Sequence, residues 1–255
     1  MTGSRLRQEH AEVDSEAFRS IILLPTYQER NNLARLLPEI LQFTRADVLV
    51  LDDLSPDGTG QLADSFARTS SRVRVLHRDG PRGLGHAYRD GFRQALAGGY
   101  GRIVTMDADG SHSPAKLPEL IELCDRYDLV LGTRWTTGGS TQGWSLPRRL
   151  LSRTGCWYAR SVLGVSVRDL TSGFKCYRRE LVKQLDLRST SSTGYAFQIE
   201  TTYRAIRAGF TVVETPIRFV ERQHGNSKMT WSIALEAAIA VLLMRRRAIQ
   251  EGRSI

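Results

Sequence analysis

Only three cysteines occur in 255 residues, Cys124, Cys156 and Cys176, and neither their odd number nor their spacing suits a disulfide framework or a zinc site. They are expected to be core thiols in a reducing compartment. The stretch from Met1 to Ser20 is polar and mixed in charge and lacks the apolar segment of a secretory signal, so residues 1–19 are expected to form a loosely attached arm. Long hydrophobic runs are missing as well. The greasiest stretch, Ile233 to Met244, is interrupted by Glu236 and falls short of the roughly 18–20 residues a spanning helix needs. A dinucleotide fingerprint is incomplete, because Tyr88 stands where Gly83-Leu84-Gly85 would need its third glycine. Those glycines are expected to open a helix, whose N–H groups can face a phosphate. Lys and Arg number 36 against 27 Asp and Glu, a net charge of +9, yet no nucleic-acid motif and no interleaving of aromatics accompanies the basic excess. A nucleic-acid partner is therefore not expected, which leaves phosphorylated small molecules and anionic lipid.

What is present suffices for a full core, since 41% of the residues are hydrophobic. Apolar runs alternate with helical periodicity. Ser20–Leu24 predicts a central parallel strand stopped by Pro25; Leu33, Leu36, Leu37, Ile40 and Leu41 recur at helical spacing; and Val48–Leu51 predicts a second strand. Helix, strand, helix and strand follow at Leu62–Phe66, Val73–Leu76, Tyr88–Leu96 and Ile103–Met106, and then come a helix at Leu117–Leu123 and a strand at Leu129–Leu131. The alternation predicts a doubly wound α/β sheet over residues 20–229. Later segments predict a helix over Leu146–Leu163, strand-like residues over Asp169–Tyr177, a helix over Tyr195–Ala208, and β segments at Thr211–Glu214 and Ile217–Val220. Glu200, if buried in its helix, requires a partner.

In such sheets ligands collect at the carboxyl ends of the strands. Three polar turns converge there: Tyr27 and Glu29 after the first strand, Asp52 and Asp53 after the second, and Asp107-Ala108-Asp109 after the fourth. Two carboxylates two positions apart suit a hard cation such as Mg²⁺ or Mn²⁺, which is bound by few carboxylates together with substrate phosphates. Arg134 follows the fifth strand, Arg148, Arg149 and Arg153 mark a basic helix, and the loop Glu221–Lys228 can close over a nucleotide with two positive charges. His112, beside the acidic turn, is expected to play a supporting role. Residues 230–255 are expected to form an amphipathic, basic helix: Trp231–Met244 followed by Arg245-Arg246-Arg247 can lie in a lipid interface or pack on the domain.

Six motifs in one order carry a resemblance: Pro25-Thr-Tyr27-Gln-Glu29-Arg-Asn-Asn-Leu33, Asp52-Asp53-x-Ser55-Pro56-Asp57-Gly58-Thr59, Gly83-Leu84-Gly85-x-Ala87-Tyr88, Met106-Asp107-Ala108-Asp109-x-Ser111-His112, Gly132-Thr133-Arg134 and Arg222-x-x-Gly225-x-Ser227-Lys228. From about Ile21 to Met229 the chain resembles the dolichyl- or polyprenyl-phosphate mannosyltransferases, inverting family 2 glycosyltransferases of GT-A fold. The resemblance implies transfer of mannose from GDP-mannose to a polyprenyl phosphate, with Mg²⁺ or Mn²⁺ as cofactor, at the cytoplasmic face of a membrane. By it, Pro25, Tyr27, Glu29, Leu51 and Asp53 would hold the guanosine. Asp107, Ala108 and Asp109 would meet ribose, diphosphate and metal, with Asp109 coordinating directly. Arg134, Arg222 and Lys228 would clamp phosphate groups, so that transfer itself rests on Asp109, Asp107, Arg134 and Arg222. Arg148, Arg149 and Ser152 would meet the acceptor phosphate. The chain departs from the commonest pattern at Gln28, Leu54 and Asn226, none of which removes a charge from the metal site. Many relatives continue into transmembrane helices; this chain resembles the soluble or partner-anchored subgroup, which implies a membrane-anchoring protein partner. A donor such as UDP-glucose and a catalytically silent membrane-binding module are the rival expectations.

Overall fold

The structure, a computed structural model, describes residues 19–185, 194–222, 231–250 and 252. Its centre is β1 (Ser20–Thr26), flanked in parallel by β2 (Asp47–Asp52) and β4 (Arg102–Thr105). Ile21 through Leu24 are all fully buried because both faces of this strand are covered, which is why its sequence is a continuous apolar run and not an alternating one. Side chains still alternate between faces. Ile21 and Leu23 join Tyr88 and Phe92 of α3 (Leu84–Ala97), whereas Ile22 and Leu24 join Leu33 and Leu37 of α1 (Arg30–Phe43). Gly91 lets α3 approach closely, since a Cβ there would stand 2.8 Å from Leu51 Cδ1.

β1 runs past Pro25, one turn of pleat further than expected. The Leu23 carbonyl accepts from Met106 on the β4 side and the Thr26 carbonyl accepts from Asp53 on the β2 side. Alternation turns the Pro25 nitrogen toward β4, whose ladder has already ended at Leu23 opposite Thr105, so no ladder bond is lost.

The remaining elements are α2 (Thr59–Thr69), β3 (Val73–His77), α4 (Leu117–Leu123), β5 (Leu129–Thr133), β6 (Ser140–Gln142), α5 (Leu146–Leu163), β7 (Lys175–Arg178), α6 (Arg179–Gln184), α7 (Gly194–Arg207), β8 (Val212–Pro216), β9 (Arg218–Val220) and α8 (Trp231–Gln250). The sheet order is β3-β2-β1-β4-β7-β5-β8, and β7 is antiparallel to both neighbours. The expected mostly parallel α/β architecture is therefore present, with one reversed strand in its middle.

That reversal has a functional consequence. Lys175, the first residue of β7, pairs with Thr105, the last of β4, so the segment preceding β7 arrives at the edge where the parallel strands end. Residues 169–174, expected to be strand-like, are a loop at that edge instead. Likewise β9 does not extend the main sheet; it pairs with β6, a short strand with no counterpart among the expected elements. α6 was not foreseen. α8 continues past the apolar stretch and the three arginines to Gln250, within the expected 230–255, and packs on α5 and α7. Val241, Met244 and Ala248 of α8 belong to the core shared with Ile21, while Leu235, Ile239, Leu242 and Leu243 are exposed. All three cysteines are free and buried, as expected. Buried Glu200 has the partner it requires in Arg204, one helical turn on, at 2.7 Å.

Candidate active site

Two cavities meet at the carboxyl edge of the sheet. The larger, of about 650 Å³, is walled by the turns after β1, β2 and β4 together with the start of α3, and the smaller, of about 140 Å³, lies between α5 and α8. Asp107, Asp109, Thr171, Gly173, Arg222 and Ala237 line both.

The first cleft takes its shape from the chain's polar turns. Pro25, Tyr27, Glu29, Asp53 and Ala108 all line it, as expected. Gln28 and Leu54 both have positive φ, 59° and 52°, and the Gln28 N–H donates to Ser55 Oγ at 3.1 Å, which ties the two turns together. Leu51 does not line the cleft: its side chain is fully buried under Gly91. Asp53 is almost buried, and its two oxygens accept from the Arg78 guanidinium and, at 2.9 Å, from the Gly83 N–H. Arg78 in turn donates to Asp90 at 2.9 Å and to the Pro81 carbonyl at 3.0 Å. Arg82 lies 5.0 Å over the Tyr27 ring. Gly83 precedes α3 with φ 124°, the helix-opening role expected of it. Arg78 and Arg82 escaped sequence reasoning because nothing in a basic residue between a strand and a helix separates a buried carboxylate partner from a solvated charge.

At the junction, Asp109 accepts from the Ser111 N–H at 3.0 Å through one oxygen and pairs with Arg222 at 3.0 Å through the other. His112 Nε2 is 3.6 Å from Asp107, and the buried imidazole is stacked on Phe174 and edged by Phe219, a supporting position as expected. Burial works to raise the Asp107 pKa, but His112 and the positive charges of Arg222 and Arg134 outweigh it and hold the carboxyl below its ordinary value. Burial, with the Asp107 charge next in weight, pushes the Tyr88 phenol well above its ordinary range. Gly173 packs closely beside Asp107: a Cβ there would stand 3.2 Å from both carboxylate oxygens, a tight contact.

Arg134 is held more tightly than a strand-end arginine need be. Its Nε and Nη2 donate to the two oxygens of fully buried Asp169 at 2.7 and 2.6 Å, and Nη2 also donates to Thr171 Oγ1 at 2.7 Å. Burial would raise the Asp169 pKa, yet the Arg134 guanidinium holds it below the usual carboxylate range. The Arg134 guanidinium also sits 5.3–5.5 Å from the rings of Trp135, Trp144 and Phe219. Cys156 Sγ lies 3.6 Å from Asp169, and burial pushes its pKa up to about 11, so it is an inert thiol. Asp169 and Thr171 are the principal site residues that sequence reasoning missed. An acid, two hydroxyls and a glycine over Asp169–Gly173 carried the signal of a turn, but the direction of β7 decided where that turn lies.

Small and apolar residues line much of the second cavity. Ser152, Gly155 and Ala159 of α5 line it together with Ala238 and Val241 of α8, and Arg148 lines it as well, 4.3 Å over the Trp144 ring and 2.7 Å from Glu221. Arg148 and Ser152 thus reach the cavity. Arg149 does not; it turns toward the Thr141 carbonyl at 3.4 Å. Lys228 lies outside the described residues.

The acidic turn fits a hard divalent cation. Ser111 Oγ is buried beside Asp109 with no partner among the described residues, an oxygen donor of the kind Mg²⁺ and Mn²⁺ accept. Among the described residues no three His, Cys, Asp or Glu side chains are arranged to hold a metal ion by themselves, so the set is two carboxylates and a hydroxyl, to be completed by substrate oxygens.

A profile of the family described as glycosyl transferase family 2 matches residues 21–186. A polyprenol monophosphomannose synthase of Mycolicibacterium smegmatis is 45% identical over 226 residues, covering 88% of this chain and 85% of that protein. An undecaprenyl-phosphate mannosyltransferase of Micrococcus luteus is 43% identical over 235 residues, covering 92% and 97%. Among solved structures, glucosyl-3-phosphoglycerate synthase of Mycobacterium tuberculosis in complex with Mn²⁺, UDP-glucose and phosphoglyceric acid superposes with a TM-score of 0.65 at 21% identity over 92% of this chain and 82% of that one. A mannosyltransferase of Pyrobaculum calidifontis in complex with GDP-Man and Mn²⁺ superposes with a TM-score of 0.61 at 17% identity over 90% and 64%. The fold is that of the GT-A glycosyltransferases, and the chain belongs to glycosyl transferase family 2.

Proposed function

We propose that this glycosyltransferase transfers mannose from GDP-mannose to the phosphate of a polyprenyl phosphate, giving polyprenyl-phospho-mannose and GDP with inversion. The observation that carries this reading is the junction: a cleft walled by the polar turns at the sheet edge and a slot between two helices share Asp107, Asp109 and Arg222. A nucleotide sugar suits the first and a phosphate on a greasy chain suits the second. The names of the two curated relatives support the same substrates.

In the proposed reaction an oxygen of the acceptor phosphate attacks the anomeric carbon as the bond from that carbon to the GDP oxygen breaks. A phosphate monoester is largely dianionic near pH 7, with a second pKa of about 6, so no general base is required. The site must orient two anions and neutralise the leaving diphosphate. Pro25, Tyr27, Glu29 and Asp53 hold the guanosine, with Leu51 contributing through its backbone. Ala108 borders the ribose, and Arg222 and Lys228 meet phosphate. Arg134, locked on Asp169, supplies a fixed positive charge at the junction, and Arg148 and Ser152 receive the acceptor phosphate. Arg149 supports β6 from outside the cavity. Mg²⁺ or Mn²⁺ held by Asp109 and Asp107 supplies charge for the departing diphosphate when bound.

Leu150 and Trp157 of α5 and Leu242 and Leu243 of α8, the two helices that wall the slot, are exposed, as are Arg153, Arg246 and Arg247. No helix among the described residues is long and apolar enough to cross a membrane. In this reading these apolar and basic residues meet the cytoplasmic surface of an anionic membrane, where a membrane-anchoring protein partner can supplement them. On the same reading residues 20–229 are the catalytic domain and Trp231–Gln250 its lipid-facing helix, while the arm expected over residues 1–19 lies, apart from Arg19, outside the described residues.

The test is incubation with Mg²⁺ or Mn²⁺, a short polyprenyl phosphate and radiolabelled GDP-mannose, UDP-glucose or UDP-galactose. Organic-extractable label from GDP-mannose alone supports the proposal. Label from UDP-glucose favours the second reading, which the UDP-glucose complex of the mycobacterial neighbour keeps in view. No label from any donor favours a silent membrane-binding module.

A further inference from the structure

Gln198 lies on α7, is 2% exposed and lines the larger cleft, and neither its amide nitrogen nor its amide oxygen has a hydrogen-bond partner among the described residues. Buried side-chain polar atoms are satisfied in the large majority of cases, and each one left unmade costs about 1–3 kcal/mol. A carboxamide unsatisfied at both ends is an expensive feature unless something supplies the bonds. The chain has spent effort on fixing this residue's backbone. The Gln198 carbonyl accepts from Lys175 Nζ at 2.7 Å, Thr202 Oγ1 at 3.1 Å and Thr201 Oγ1 at 3.2 Å. Backbone held and side chain unused is the arrangement of a preorganised ligand contact.

Its place in the cleft narrows the ligand. Asp53, Arg82 and Gly83 belong to the larger cleft alone, whereas Asp107, Asp109, Thr171 and Gly173 belong to both cavities, at the junction where the transferred group must sit. Lys175, which anchors Gln198, begins β7 two residues after Gly173. A neutral amide suits neither a diphosphate nor a metal in preference to the arginines and carboxylates around it. One donor and one acceptor on a rigid plane do suit hydroxyl groups, each of which both donates and accepts.

We propose that Gln198 is a specificity residue of the donor site that hydrogen-bonds hydroxyl groups of the transferred hexose. The inference rests on the nucleotide-sugar reading of the cleft and extends it to the sugar. A site that hydrogen-bonds a substrate hydroxyl rejects an analogue lacking it far more strongly than an apolar pocket rejects a missing methylene.

The experiment uses the full chain with Mn²⁺ and compares wild type with Gln198→Met, which keeps length and removes hydrogen bonding. Calorimetric affinities are measured for GDP, GDP-mannose, UDP and UDP-glucose. The expected result is a ratio of sugar-nucleotide to bare-nucleotide affinity at least tenfold lower in the variant, with affinity for the bare nucleotide unchanged within twofold. An unchanged ratio overturns the proposal. Should wild type prefer the uridine pair, the GDP-mannose reading fails while the ratio for UDP-glucose over UDP still decides the role of Gln198. A second measurement needs no variant: wild type is titrated with the 2-, 3-, 4- and 6-deoxy forms of the preferred donor. At least one is expected to bind tenfold more weakly than the parent, and the variant is expected not to discriminate against that one. Equal binding of all four by wild type overturns the proposal even if Gln198→Met does not fold.

Discussion

Arg222 Nη2 lies 3.0 Å from Asp109 Oδ2, so the cation expected to clamp a phosphate and the carboxylate expected to hold a metal are partners of each other. Metal and diphosphate would each compete for one member of this pair. Arg222→Ala is expected to strengthen Mn²⁺ binding in the absence of donor, by up to about tenfold, while lowering transfer by about 10²-fold through loss of charge opposite the leaving group. Asp109→Ala is expected to abolish both metal binding and transfer. Manganese titration followed by electron paramagnetic resonance, alongside the radiolabel assay, checks both signs; weaker metal binding in Arg222→Ala would show that the pair does not compete with the ion.

The Arg134–Asp169 pair separates stability from activity. Asp169→Asn leaves the Arg134 charge buried without its counter-ion, and breaking a buried pair from one side costs about 3–5 kcal/mol. Replacing both residues, as Arg134→Met with Asp169→Leu, is expected to recover most of that loss. Urea unfolding reads the recovery. Transfer activity should stay low in the double variant, because the positive charge at the junction is gone.

Lys175 gives a pH signature. Burial depresses its pKa from the ordinary 10.5 to about 7, with Asp169 and Asp107 opposing the shift. Between those values the unfolded chain binds the proton that the folded chain releases, so this residue makes stability rise with pH from about 7 to about 10.5, by up to about 1.4 kcal/mol per pH unit. Below pH 7 both states carry the proton and the cost of burying the charge is present in full. The difference in unfolding free energy between wild type and Lys175→Met should therefore change over pH 7–10 and be flat below it. A difference flat throughout would mean that the amine keeps its ordinary affinity for protons.

The lipid-facing surface cannot be tested by deleting α8, because Val241, Met244 and Ala248 belong to the core and Ala237 lines both cavities. Substituting exposed residues avoids this. Leu242→Gln with Leu243→Gln on α8, or Leu150→Gln with Trp157→Gln on α5, is expected to reduce sedimentation with anionic liposomes at least fivefold at unchanged GDP affinity. Unchanged sedimentation in both pairs would leave this face to a protein partner.

Much of the site was legible before folding because its residues occupy turns directly after apolar runs. Glu29, Asp53, Asp107 and Asp109 each follow a strand that the hydropathy pattern marks, and a parallel sheet brings such turns to one edge by construction. Two further site residues, Asp169 and Gln198, gave no such signal. Asp169 reaches the site because β7 runs antiparallel, and a four-residue strand reads the same in either direction. Gln198 stands in a helix whose periodicity shows only that one face is covered, not that a cleft opens there.

The amino-acid sequence alone determined the layered α/β architecture, the acidic turns and the amphipathic last helix, since each follows from local periodicity and residue chemistry. Tertiary structure decided which charges neutralise one another and which remain for a ligand. It seated Arg134 on Asp169, turned Arg149 toward Thr141, buried Leu51 under Gly91 and set Arg222 against Asp109. Those outcomes depend on distances across the fold, and partners 8 to 113 residues apart in the chain have no shared period by which to be recognised.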